Sequence, residues 1–159
     1  MMRFLILCAG LFWAGTALAQ TNITLGGLTI DSDAAVEVSA DSLSVDQNTG
    51  SAVFSGNVVI GQGDLRLSAG AVEVVYSDAT GDIARLKATG GVTFVTATEA
   101  AEAQSADYDL TTGQLILRGD VLLTQGASAL SAGEMRVNLN AGTAQMTGRV
   151  RTVFQQGGN

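Results

Sequence analysis

The chain has 159 residues, a formal net charge of −7 and no histidine. An acidic balance is the wrong sign for neutralising phosphates, so nucleic acid is excluded as a partner, and charge-driven docking on anionic headgroups is disfavoured. Without histidine, and with Cys8 as the sole cysteine, Ser-His-Asp and Cys-His catalysis and the usual Cys/His zinc sites are excluded.

Residues 1–19 read as a cleaved signal peptide. Arg3 supplies the positive start, residues 4–18 are apolar apart from Gly and Thr, and Ala17-Leu18-Ala19 is a small-x-small cleavage site. The run is short for a bilayer span. Cys8 lies inside it after bulky Leu7, which is not the setting of a lipid-modified cysteine. Cys8 and Trp13 leave with this segment, so packing and strand pairing, not disulfides, must hold the mature chain from Gln20 onward.

From residue 20 to 154 the sequence predicts one all-β domain, followed by a disordered tail at 155–159. Strand-like runs fall at 23–25, 28–30, 36–38, 43–45, 52–54, 58–60, 65–67 and 72–76. They continue at 83–88, 92–96, 108–110, 115–117, 121–124, 135–139, 144–146 and 150–154, each bounded by Gly, Asn, Asp, Ser or Thr. A unit recurs along them. Ser-Ala-Asp or Ser-Ala-Gly starts at Ser39, Ser68, Ser105 and Ser131; a turn glycine follows at Gly50, Gly81, Gly113 and Gly142. A second glycine then precedes a branched residue, in Gly56-Asn57-Val58, Gly91-Val92, Gly119-Asp120-Val121 and Gly148-Arg149-Val150. Repeated short antiparallel strands build a surface, and a surface points to binding before catalysis.

Val36-Glu37-Val38, Leu65-Arg66-Leu67 and Val72-Glu73-Val74 alternate cleanly and predict one apolar face. Val58-Val59-Ile60 and Val121-Leu122-Leu123 are apolar on both parities, which predicts strands covered on both sides, as in a sandwich or partly closed roll. Residues 96–105 are helix-compatible, interrupt the repeat, and read as a loop or strand edge. The absence of proline leaves edge strands without one common block to further pairing.

Catalytic signals are weak. Asp107 and Asp109 share a strand face and Asp31 and Asp33 flank a loop, but neither pair sits in the aromatic setting that raises a glycosidase acid. Lys87, the one lysine, lies on a charged strand face. Gly61-Gln62-Gly63-Asp64 resembles a single fragment of a calcium repeat, and no glycine-rich phosphate loop precedes a helix. No cofactor or metal is expected. The residues Val36, Val38, Phe54, Phe94, Tyr108 and Leu110 are either ordinary core or the lining of an apolar trough left open by a roll of strands. An exported structural β-repeat or adhesin-like scaffold without lipid binding is the alternative to a lipid carrier.

The stretch 36–76, with Ala40-Asp41-Ser42-Leu43, Val53-Phe54-Ser55-Gly56-Asn57-Val58 and Gln62-Gly63-Asp64-Leu65-Arg66-Leu67-Ser68-Ala69, resembles the OstA-like family. Tyr108-Asp109-Leu110 and Leu117-Arg118-Gly119-Asp120-Val121 resemble its second half. The resemblance implies an antiparallel β-jelly roll, open along one side, that binds the lipid A part of lipopolysaccharide in the periplasm. It implies head-to-tail self-association through edge strands, joining an inner-membrane transport complex to an outer-membrane assembly protein. It places Val36 and Val38 at the N-terminal mouth of the groove, and Phe94, Tyr108 and Leu110 among later lipid-facing residues. Phe54 joins them from its own strand pattern. Tyr76 is a departure, standing where a close family pattern has an arginine.

Overall fold

The computed structural model describes residues 22–24 and 34–153. The expected signal peptide, the run at 28–30, Asp31, Asp33, Phe154 and the tail lie outside the described residues. All regular structure within them is strand: β1 Asn22–Thr24, β2 Glu37–Ser39, β3 Ser42–Asp46, β4 Ser51–Gln62, β5 Leu65–Tyr76, β6 Ile83–Val95, β7 Glu99–Asp109, β8 Gln114–Gln125, β9 Ser128–Asn138, β10 Thr143–Thr147 and β11 Arg151–Val153. They form one antiparallel sheet in the order β1-β10-β9-β8-β7-β6-β5-β4-β2, with β3 also on β4 and β11 also on β9. The first and last strands of that path do not pair, so the sheet stays open.

The short runs of the sequence join in pairs. β4 to β9 are each 11 to 13 residues long; β4, β5, β6 and β8 each join two of the expected runs across a mid-strand irregularity, and β7 and β9 each carry one. In β4 the extra residue falls at Gly56-Asn57, in β6 at Gly90-Gly91 and in β8 at Gly119-Asp120, opposite Gly70, Gln104 and Gly133 of their neighbours. Each of these pairs has both φ angles positive, between +48° and +82°, and Gly148-Arg149 repeats the geometry after β10. A bulge bends its strand and adds twist. Because the bulges are neighbours in register, they form one line of bending across the whole sheet.

This line explains the mixed parity of the sequence. Inward side chains resume four residues on in the bulged strands (Phe54 to Val58, Ala88 to Val92, Leu117 to Val121). They resume three residues on in their partners (Ala69 to Val72, Ala103 to Ala106, Ala132 to Met135). The bend is locked by local contacts. The Asp41 N–H donates to Gly56 O at 2.9 Å and the Gly133 N–H to Gly148 O at 2.7 Å. Asn57 Nδ2 donates to Asp41 Oδ2 at 2.9 Å, and Gln104 Nε2 to Asp120 Oδ2 at 2.7 Å.

The two ends of the sheet use different turns. At one end Asp46, Ser77, Asp109 and Asn138 each stand four residues before a glycine at positive φ (Gly50, Gly81, Gly113, Gly142). The side-chain oxygens of Asp46, Asp109 and Asn138 accept backbone N–H groups inside their turns at 2.8 to 3.0 Å, which is how short polar residues nucleate such connections. At the other end Gly63-Asp64 and Gly126-Ala127 make tight two-residue turns and residues 96–98 a slightly longer one. The Asp109 carboxyl is held below the usual carboxylate range, first by the Thr112 backbone N–H, with Arg85 adding a smaller pull.

Two expectations are corrected. Residues 99–105, read as loop or strand edge, belong to β7, a central strand paired on both sides. Its alanines favour helix in isolation, but their small side chains fit the crowded inner face, and packing outweighs a propensity of a few tenths of a kcal/mol. The doubly apolar strands are not covered on both sides either: Val59 is 41% and Leu122 38% exposed on the outer face. The sheet is a single curled layer with its outside in solvent. Among the described residues, every pair of strands whose Cα atoms come within 8 Å is a hydrogen-bonded pair. The buried inner faces therefore meet through side chains, at the ~10 Å spacing of packed sheets.

Gly90 and Gly91 share φ near +82°, but a Cβ on Gly90 would lie 3.2 Å from Gly70 Cα while one on Gly91 meets open space. Gly91→Ala should cost about 1–2 kcal/mol for the left-handed backbone alone, and Gly90→Ala measurably more; equal urea-unfolding losses would contradict the close crossing. Asp109→Ala should lower the unfolding midpoint at neutral pH. A depressed carboxyl stabilises above its unfolded pKa and loses that contribution as pH falls through the folded value. The gap between variant and wild type should therefore close in strong acid, and a pH-independent gap would refute it.

Candidate lipid-facing interior

Cross-strand register stacks the inward side chains into rows. Between the bend and the tight turns, Val38, Ile60, Leu67, Phe94, Ala101 and Leu123 lie side by side. Beyond the bend a second row runs Phe54, Val72, Ala88, Ala106, Leu117, Met135, and a third runs Ala52, Val74, Leu86, Tyr108, Leu115, Val137. The large residues of flanking strands face the alanines of β6 and β7, so the rows fill without voids being forced.

All six residues singled out from the sequence reach this interior, in two groups. Val36, Val38 and Phe94 lie on the tight-turn side of the bend; Phe54, Tyr108 and Leu110 lie on the wide-turn side. Phe94 is sealed at 4% exposure, whereas the other five are half-buried and pack against the core. Leu110 sits just past β7, its N–H donating to Ala84 O at 3.0 Å. Burial, and secondarily the charge of Asp109, raises the Tyr108 phenol above its ordinary value, as expected for a hydroxyl at a half-dry rim.

Two inner-face residues escaped the sequence reading. Leu43 and Val45 of β3 stand in register with Phe54 and Ala52 and so share their face, yet they are 55% and 62% exposed. Their alternation in Leu43-Ser44-Val45 was visible; that they form an edge was not, because two short strands, β2 and β3, divide β4 between them. Glu99 was missed as well. It is 4% exposed on the inner face of β7, and Gln125 Nε2 donates to its Oε1 at 2.7 Å.

The other candidates for chemistry lie outside. Asp107 and Asp109 hold Arg85 at 3.3 and 3.6 Å, and Lys87 pairs with Glu73 at 3.4 Å. These half-exposed outer-face pairs are worth at most about 1 kcal/mol each. Tyr76, at the end of β5, is partly exposed and donates its N–H to Gly50 O. Among the described residues no three His, Cys, Asp or Glu gather as a metal site.

The arrangement is a curled sheet with an apolar inside, an open seam and an ion-paired outside, and its fold is found in a known structure. The solved structure of LptH from Pseudomonas aeruginosa, described as the LptA homologous periplasmic component of the conserved lipopolysaccharide transport device, matches with a TM-score of 0.72. The match covers 79% of this chain and 99% of that one at 18% identity, so it bears on the fold: an open antiparallel β-jelly roll. An uncharacterized protein of Rhizobium meliloti (strain 1021) is 29% identical over 142 residues, covering 84% of this chain and 76% of its own length. The family model described as "LptA/(LptD N-terminal domain) LPS transport protein" matches residues 37–143. With two thirds of its length so matched, the chain belongs to the LptA/LptD N-terminal domain family of lipopolysaccharide transport proteins.

Proposed function

We propose that this protein is a non-catalytic periplasmic carrier that shelters the acyl chains of lipopolysaccharide inside the roll and passes the lipid towards the outer membrane. The observation that carries this reading is the exposed apolar pair Leu43 and Val45 on the inner face at the open edge. Inward-facing leucine and valine at an unclosed seam form a greased entry, and each lipid methylene removed from water there contributes roughly 0.8 kcal/mol. Val36, Val38, Phe54, Tyr108 and Leu110 extend the apolar surface inward on both sides of the bend, and Phe94 forms its floor.

The interior is filled by the protein's own side chains, so cargo enters by parting the seam and replacing contacts already present. An apolar chain exchanged for an apolar side chain changes little in free energy, which suits a station that must both accept and release. Export with loss of residues 1–19 supplies the compartment. Strand edges unpaired among the described residues, in a chain without proline, support head-to-tail addition of further copies and of the pathway's inner-membrane complex and outer-membrane assembly protein. The negative net charge keeps the carrier off anionic bilayers.

Strand parity gives a sharp test. A photo-crosslinking residue at Leu43 or Phe54 should capture lipopolysaccharide, while one at Val53, next to Phe54 in β4 but on the outer face, should not. Equal capture at all three would remove the interior assignment. Val36→Asp and Leu110→Asp should each weaken binding of purified lipopolysaccharide about tenfold or more with an unchanged β circular-dichroism spectrum, and leave a headgroup-only oligosaccharide unbound as before. Phe94→Asp is the wrong probe, because a carboxylate at a sealed site costs folding itself.

A further inference from the structure

The interior changes character along its length. Its last row, next to the tight turns, is made of Gln62, Thr96, Glu99, Gln125 and Ser128 around Leu65, where every row further in is apolar. Glu99 is the centre of this polar row. The turn holds it in place: its N–H donates to Thr96 Oγ1 at 3.2 Å, and the Thr96 N–H donates to its carbonyl at 2.9 Å. One carboxyl oxygen accepts from Gln125 at 2.7 Å. The other, Oε2, is buried and has no hydrogen-bond partner among the described residues.

A carboxyl oxygen stripped of water and given nothing in return opposes folding. An alanine or leucine, as in the rows above it, would leave no stranded oxygen here. We propose that Glu99 is the headgroup contact of the cargo: Oε2 accepts a hydrogen bond from a hydroxyl or amide N–H of an acylated sugar lodged at this end, with its acyl chains running inward along the apolar rows. The proposal rests on the carrier reading and adds to it a direction and a selectivity. An acceptor facing the interior rewards a lipid whose head bears donors and penalises one whose head bears only acceptors.

Glu99→Gln tests this with little change of shape, since the amide keeps an acceptor for Gln125 and presents a donor where Oε2 stood. Two quantities are read: the dissociation constant for radiolabelled lipid A and the urea midpoint of lipid-free protein. The expected result is affinity about tenfold weaker, the worth of one net hydrogen bond, with the midpoint unchanged or raised. Glu99→Leu should weaken binding at least as much, but it also takes away the acceptor of Gln125, so only the Glu99→Gln midpoint is read. A lowered midpoint, with or without weaker binding, would show Oε2 serving the fold, and unaltered affinity would show it serving no lipid; either overturns the assignment. Wild-type protein that fails to bind lipid A would instead sink the carrier reading, a result separate from any effect of the variant.

Discussion

The line of left-handed residue pairs across the middle of the sheet is the constraint on which everything else depends. Six strands of 11 to 13 residues would make a flat, wet ribbon if they ran straight. One extra residue in every second strand, aligned with its neighbours, folds the ribbon over and lets one layer act as both walls of a core. Backbone geometry sets this, more than side-chain attraction. Gly56, Gly90, Gly119 and Gly148 adopt φ of +78° to +82°, and Asn57, Asp120 and Arg149 accept the strained partner position. Asparagine and aspartate tolerate it through their short polar side chains; nothing in the structure explains the arginine.

Much of this was legible in the sequence. The four turn glycines and the four glycine-plus-branched pairs mark the wide turns and the bends, since only glycine takes those angles cheaply. Clean alternation at Leu65-Arg66-Leu67 and Val72-Glu73-Val74 assigned the inner face correctly. What was not legible follows from tertiary context. The alanine-rich stretch of β7 carries no strand propensity of its own and is held by two neighbours. Val59 and Leu122 look like core by hydropathy and face water, because parity is set by bulges whose register only the paired strands define.

The candidate site divides along the same line. Half-buried Val36, Val38, Phe54, Tyr108 and Leu110 came from motif and alternation. Leu43 and Val45, more telling because exposed, required knowing which strands lie at an edge. Glu99 could not be found from sequence at all. A glutamate in an alanine-rich segment reads as a solvated residue, and only register places its carboxyl indoors. Interior and exterior divide the labour: the outer ion pairs of Arg85, Lys87, Arg118 and Arg136 keep solubility on one face while the other stays apolar.

An open sheet also escapes a rule that binds closed ones. In a barrel, strand number, tilt and stagger must agree for the last strand to meet the first, so inserting a hairpin alters the circumference and every interior contact. Here no such meeting occurs, and each hairpin brings its own wide turn, its own bend and its own inward rows. Adding or removing one whole repeat would lengthen or shorten the molecule along the bend without disturbing the cross-section. Length is therefore a free variable in this architecture, and a span between fixed points can be matched by repeat number within one chain as readily as by counting chains.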